Sequence, residues 1–561
     1  MRKGIGIFLA VILAACPPLF AGEIQTSDLR IIGKTHSVFA VNSIKGPGAL
    51  VHSLPSSYDM SLFEFNWGGK QSSFNGSGIT TNANYPLTNG EAASNNTHIG
   101  LSKKLSDQMT AGFLGEFYTL IGNRTVGRVY GEELPWDNFP REAGAIRPSG
   151  FQADLYNAFL EGSRDKLKYK VVGGTLSPRE LPEFTRKEMN QVKLGSLVYR
   201  APITQASFFE KEDRKIEEGR HPLMGVDALG DYEYAANRHL HLELFTGSTE
   251  PTPISDIERD AYGGRAAVDL FGGNIGFTYV YNDGRRAATG IKENEGVWAV
   301  DSSYKVTDWV IPYFTFAQTD YERSVVNEVH KGNAYVAGAL LKCPKGCELK
   351  GQYQRLEENY DLMAYHKTEH YPTNFQGFNG QLTAPVTDAL KLKGIVYYLE
   401  QLDTVTTPAD TIFGDSFFPS TANSNRGTIG VERLGADWKA AKELSLASYL
   451  EHAKFRKNAD PISSAIDKDV YDFYGGVTLT LTKEWYLEGG FRHVFSVGNW
   501  QTMNFRSHQD IPEAAVGYRI DKEKHALLIY HYYHFEDDNE ASQGLNDYHG
   551  HQVILEIHWP L

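Results

Sequence analysis

The chain has 561 residues, 41% hydrophobic, with 31 Tyr, 30 Phe, 54 Gly and a formal net charge of -14. That length ordinarily divides into several domains of roughly 150 residues, yet composition shifts only at the N-terminus. No run of roughly 18 apolar residues occurs, which excludes a helical membrane protein, and an acidic chain without clustered Lys and Arg argues against nucleic acid as a partner.

Arg2 and Lys3 precede an apolar run from Ile5 to Ala15 and then small residues, the layout of a secretory signal peptide. Two processing readings compete. Cleavage after Ala21 would leave 22–561 as one barrel domain; Leu13-Ala14-Ala15-Cys16 can instead be read as a lipoprotein signal with Cys16 acylated. Pro17 directly after that cysteine favours the first.

Farther along, Phe151, Ala153, Leu155 and Phe159 alternate with Gln152, Asp154 and Tyr156, the two-residue period of a pleated strand. The segment Phe209–Glu218 breaks the pattern with a helix-favouring composition. A short helix folded into a barrel mouth and an outward solvated loop account for it equally. In Arg238-His239-Leu240-His241-Leu242-Glu243, strand geometry puts His239, His241 and Glu243 on one side, about 7 Å apart. Two imidazoles and a carboxylate can hold a transition metal, but the spacing is wide for one ion and a row of wall-lining polar groups fits it better.

Between 262 and 281, Tyr262, Ala266, Val268, Leu270, Ile275, Phe277, Tyr279 and Tyr281 form one face, and Arg265, Asp269, Asn274 and Thr278 the other. Cys343 and Cys347 bracket Pro344-Lys345-Gly346 at a hairpin tip. In an oxidising compartment this spacing predicts a disulfide; a metal site would need two more ligands, and the absence of C-x-x-C-H means the chain carries no c-type haem of its own. Leu390, Leu392, Val396 and Tyr398 oppose Lys391 and Lys393. In 471–495, Tyr471, Phe473, Val477, Leu479 and Leu481 oppose Asp472, Tyr474, Gly476, Thr478 and Thr480; after a turn at 482–484, Trp485, Leu487, Phe491 and Phe495 oppose Tyr486, Glu488, Gly490 and Arg492.

Histidines crowd the C-terminal hairpin at His525, His531, His534, His549, His551 and His558. They could bind metal or respond to pH, but a wet interface among Tyr530, Tyr532 and Tyr533 suits them better. The acidic run Glu536–Glu540 reads as a solvated loop with some capacity for divalent cations. The last strand sets Val553, Leu555, Ile557, Trp559 and Leu561 against Glu556 and His558.

Short turns near 103–107, 163–166, 272–273, 306–308, 385–388, 439–442, 483–484 and 521–524 alternate with longer polar segments at 122–150, 211–235, 319–331, 401–424 and 536–548. Fifteen strands follow Tyr262, and an even total gives 22 to 24, with 26 still allowed. Alternation over about ten residues with aromatics near the ends is the signature of a membrane-barrel strand.

In sum the chain resembles the outer-membrane porins of Gram-negative bacteria, over essentially all of 22–561. Residues 155–178, LYNAFLEGSRDKLKYKVVGGTLSP, are similar to strand pairs of substrate-specific porins, whereas the ending Trp559-Pro560-Leu561 departs from their terminal aromatic. The resemblance implies an all-β transmembrane antiparallel barrel in the outer membrane, in contact with its lipids, passing small hydrophilic solutes or ions and needing no cofactor. Residues opposite the apolar face would then line the pore: Asp154, Arg265, Asp269, Lys391, Lys393, Glu488, Arg492 and Arg519. Two alternatives stay open: a sheath around a multihaem cytochrome or other inserted protein, and an exporter of an acidic polymer, which would want a continuous basic lumen. No G-x-S-x-G or H-E-x-x-H catalytic motif is visible, so no enzymatic activity is expected.

Overall fold

Runs in which β-branched and aromatic residues recur at every second position satisfy a pleated backbone and no other regular one. The structure, a computed structural model, meets this expectation with strands throughout. It describes residues 29–45, 90–122, 150–176, 223–249, 257–286, 290, 292–323, 328–357, 375–402, 427–457, 466–500, 503–520, 524–537 and 547–560. Its strands are β1 (Leu29–Lys45), β2 (Gly90–Ser106), β3 (Met109–Gly122), β4 (Gly150–Arg164), β5 (Leu167–Leu176), β6 (Leu223–Ala235), β7 (Arg238–Thr249), β8 (Ile257–Leu270), β9 (Gly273–Arg286), β10 (Lys292–Tyr304) and β11 (Val310–Arg323). The second half comprises β12 (Glu328–Lys342), β13 (Glu348–Leu356), β14 (Phe375–Pro385), β15 (Leu390–Gln401), β16 (Gly427–Lys439), β17 (Leu444–Lys457), β18 (Ile466–Thr480), β19 (Trp485–Trp500), β20 (Met503–Arg519), β21 (His525–Asp537) and β22 (Tyr548–Pro560).

Every strand pairs antiparallel with its sequence neighbours in one 22-stranded sheet. β1 also pairs with β22, from Lys34 opposite Pro560 to Lys45 opposite His549. The ring of pairings is therefore closed, and none of the described strands presents an unpaired edge. Among the described residues the strands number 22, and the fifteen counted from Tyr262 are β8 to β22.

The two faces differ as the alternation predicts. On β8, Tyr262 is exposed while Ala261, Arg265 and Ala267 are buried; on β18, Tyr471 and Phe473 are exposed while Asp472 and Tyr474 are buried. Outward positions thus carry large apolar side chains, including Leu244, Phe277, Phe378, Leu434, Leu450, Phe491 and Leu528. Inward positions mix apolar residues, from Ala and Val to Leu, Ile and Tyr, with charged ones.

Short connections gather at one end of the barrel, together with the start of β1 and the end of β22. The tightest, Phe271–Gly272, has φ values of 51° and 84°, the left-handed pair of a primed hairpin turn. Asp165 and Asn237, with φ of 52° and 57°, serve the turns after β4 and β6. At the β2–β3 and β10–β11 turns Lys104 bonds Asp107 at 2.8 Å and Lys305 bonds Asp308 at 2.6 Å. These hydrogen bonds and the ammonium charges hold both carboxyls below the usual aspartate range.

Several expectations need correcting. The segment 211–235 is not one long connection, since β6 occupies Leu223–Ala235; nor is 319–331, because β11 runs to Arg323 and β12 starts at Glu328. Inward acidic residues at 227, 231 and 233 make β6 look like loop in sequence. On β4 the register slips, with Asn157 opposite Leu114 but Leu155 opposite Gly115. This bulge inserts one residue, so odd and even positions exchange faces there and Phe159 packs with Val172, Ala261 and Phe245. Cys343 and Cys347 are separate thiols, not a disulfide. The tip is already closed by the Cys343 N–H donating to the Cys347 carbonyl at 2.7 Å and by a 3-10 turn at Pro344–Gly346. Hydrogen bonding with Cys343 pushes the Cys347 thiol up. The signal segment with Cys16 and Ala21, the segment Phe209–Glu218, most of the acidic run after Asp537, and Leu561 lie outside the described residues.

Candidate functional site

The inner wall concentrates the chemistry. On β16 to β19, inward positions 433, 451, 472 and 494 stand in one cross-strand row and 435, 449, 474 and 492 in the next. Register therefore sets two carboxylates, Glu451 and Asp472, directly opposite one another, and each takes its own guanidinium. Arg433 bonds Glu451 through Nη2 at 2.5 Å and lies over the Tyr449 ring at 4.5 Å. Arg492 bonds Asp472 through Nε at 3.0 Å and Nη2 at 2.6 Å, and the Tyr449 hydroxyl donates to Asp472 at 3.3 Å. Asp472 and Arg492 are 3% and 7% exposed. Such buried pairs persist only where forked geometry repays the loss of hydration. Next along the wall, Glu513 and His531 pair at 3.1 Å, both buried. Gly490 faces Glu513 in register, and a Cβ there would stand 2.6 Å from its Oε1. Glycine in this strand makes room for a charge.

A second group lies on β6 to β10. Arg265 reaches across β9 to chelate Asp301, with Nη2 to Oδ2 at 2.8 Å and Nη1 also donating to Thr278 at 3.2 Å. Gly276 sits on β9 directly opposite Asp301, and any Cβ there would collide with the Arg265 guanidinium. Glu243 is register partner to Arg265. Asn282 donates to Glu295 at 3.0 Å. Asp227, Glu243, Glu295 and Asp301 are all buried.

Solvent reaches the inner wall along β13 to β15. There Lys350, Gln352, Gln354, Gln381 and Thr383 are half-buried and Lys391 is exposed.

Of the residues expected to line a pore, Arg265, Asp269, Lys391, Lys393, Glu488, Arg492 and Arg519 all fall on inward positions. They are not one cluster. Lys393 pairs with Asp437 at 2.5 Å; Asp269 accepts from Asn274 at 2.9 Å and from the His239 N–H at 3.1 Å at the short-turn end; Arg519 lies over the Tyr486 ring at 5.1 Å. Asp154 is placed by register opposite Glu116. His239 and His241 stack at 5.7 Å, and Asp231 meets His239 Nδ1 at 2.6 Å and His241 Nδ1 at 3.8 Å. Parallel rings held this way form the polar row expected of them. The C-terminal histidines divide: His531 and Tyr533 turn inward and are buried, whereas Tyr530, Tyr532, His534 and His551 are on the outward face, where Tyr530 and His551 bond at 2.7 Å. His531 and Tyr533 therefore leave the interfacial group assigned from sequence.

Sequence reasoning missed Glu451, Arg433, Asp301, Glu295, Asp227 and Glu513, and it put His531 at the interface instead of in the wall. All share the inward parity, which a full assignment of every strand would have found.

No protein-family model and no curated protein matches this sequence. Among solved structures, the copper transporter OprC is 8% identical, with a TM-score of 0.49 over 95% of this chain and 80% of its own. The FrpB iron transporter from Neisseria meningitidis is 7% identical, with a TM-score of 0.47 over 96% of this chain and 82% of its own. OccAB2 of Acinetobacter baumannii, 7% identical, reaches a TM-score of 0.38 over 95% of this chain and 98% of its own. At these values the likenesses add nothing to what the strand pairing itself establishes.

Proposed function

We propose that the chain spans an outer membrane and lets small hydrophilic solutes, cations above all, pass through its lumen. The supporting observation is the difference between the faces of a closed ring: large exposed Leu, Phe, Tyr and Val outside, and ion pairs and amides set among apolar side chains inside. Hydrocarbon solvates the first set and water the second. An ion in hydrocarbon loses tens of kcal/mol of hydration by simple Born reasoning, and a polar-walled path removes most of that barrier without a cofactor.

The cation preference rests on the wall's charge. Among the described residues, its buried carboxylates are Asp227, Glu243, Glu295, Asp301, Glu451, Asp472, Glu488 and Glu513, against the buried cations Arg265, Lys393 and Arg492, the half-buried Arg433 and Lys350 and the exposed Lys391 and Arg519; half-buried Asp231, Glu233, Asp269 and Asp437 add to the acidic side. Rings of acidic side chains select cations. The same excess speaks against an exporter of acidic polymers.

Planar-bilayer recording of the purified protein tests the reading. Ohmic steps whose reversal potential in a salt gradient favours the cation are the expected result. Electrical silence, with a protein co-purifying in the barrel, would replace the channel by a sheath around that partner.

A further inference from the structure

Among the described residues, one group of side chains outside the inner wall meets the demands of a metal ion. We propose that His508, His534 and Glu536 form a site for a divalent transition-metal ion, Zn(II) in the first instance, on the outward face of the barrel at the end opposite the short turns. His508 lies on β20, directly across from Glu536 on β21, and Asp510 lies across from His534 one outward position lower. The three ligands are thus gathered by strand register, two residues apart along each strand and on one face.

Their separations suit one ion. His508 Nε2 stands 3.4 Å from Glu536 Oε2, and His534 Nε2 stands 3.2 Å from Glu536 Oε1. A tetrahedral Zn(II) with bonds of about 2.0–2.1 Å sets its ligand atoms about 3.3 Å apart. All three ligand atoms lie within 4.8 Å of one another. Two neutral imidazoles and a carboxylate form the borderline-soft donor set that Zn(II), Cu(II) and Ni(II) prefer over Ca(II) or Mg(II). The side chains are 24%, 37% and 43% exposed, open enough to admit an ion with a water as fourth ligand. The inward row of His239 and His241 offers no such meeting point: its rings are stacked parallel, 10° apart.

The position gives the ion a task. Between Asp510–His534 and Glu513–His531 the β20–β21 ladder is interrupted, because Pro512 has no N–H to donate. The metal ligands sit just beyond that gap, where the open end of the hairpin is tied to the rest by fewer rungs. A bound ion would clip β20 to β21 there. This holds whether or not the lumen conducts.

Equilibrium dialysis of the folded, detergent-solubilised chain with Zn(II) tests the site, with Co(II) as an optical probe of tetrahedral coordination. The variants are His508→Gln, His534→Gln and Glu536→Gln, each checked for the gel mobility of the folded barrel. The control is the double variant His239→Gln/His241→Gln. Wild type and control should take up one Zn(II) more tightly than the site variants, each of which should lose affinity by at least about tenfold; Zn(II) should also slow amide exchange in 503–510 and 533–537 of the wild type. Unchanged affinity in His508→Gln and His534→Gln, equal loss in the control, or no saturable uptake by the wild type would each overturn the assignment and leave two histidine–glutamate ion pairs. Should one histidine variant fail to fold, the other and Glu536→Gln still decide the matter.

Discussion

Removing the Arg492 guanidinium would leave Asp472 in the wall with the Tyr449 hydroxyl as its remaining hydrogen-bond donor. Breaking one side of a buried pair costs about 3–5 kcal/mol, whereas replacing both partners by apolar residues of similar volume is far milder. Arg492→Leu should therefore lower the urea midpoint of the vesicle-embedded barrel, followed by tryptophan fluorescence, and the double variant Arg492→Leu/Asp472→Leu should recover most of it. A double variant as unstable as the single one would show that packing, not charge, decides this site. Gly276→Ala should act on the other group: its methyl would drive Arg265 off Asp301, at roughly 1–3 kcal/mol for overpacking. The same unfolding assay on Arg265→Met/Gly276→Ala should show less than the sum of the single effects.

At the level of elements, alternation was legible wherever one face was wholly apolar. The facing of β8, β15, β18 and β19 follows directly from sequence. It failed at β6, whose inward acids disguise a strand, and at β4, where one inserted residue reverses the parity without any mark in composition. Which cation meets which carboxylate was never legible, because Arg265 and Asp301 are joined by the register of three strands and not by local spacing. Turns tell a similar story. Phe271 occupies a left-handed position that favours Asn or Gly, and an L-residue pays about 1–2 kcal/mol there. Phe271→Asn should raise the urea midpoint and Phe271→Val lower it; a fall with Asn would mean that the exposed ring contributes more than its strained backbone removes.

For the whole molecule, closure and wall charge make separate predictions. Deleting β22 by ending the chain after Asp547 leaves β1 and β21 with open edges, so the product should lack the detergent-resistant gel mobility of a folded barrel. Reversing an exposed inward cation on β15, Lys391→Glu, should shift the reversal potential further toward cations while leaving that mobility intact; an unmoved potential would place the conducting path elsewhere than along β13 to β15.

The seam between β1 and β22 also governs how such a chain can reach its native state. Lys34 meets Pro560, so the last rungs join segments separated by nearly the entire polypeptide, while all other rungs join adjacent hairpins. Entropy of loop closure makes so remote an encounter slow. Hairpins would zip first into a curved, unsealed ribbon, and the two terminal strands would find each other only at the finish, with their greasy flanks needing shelter until then.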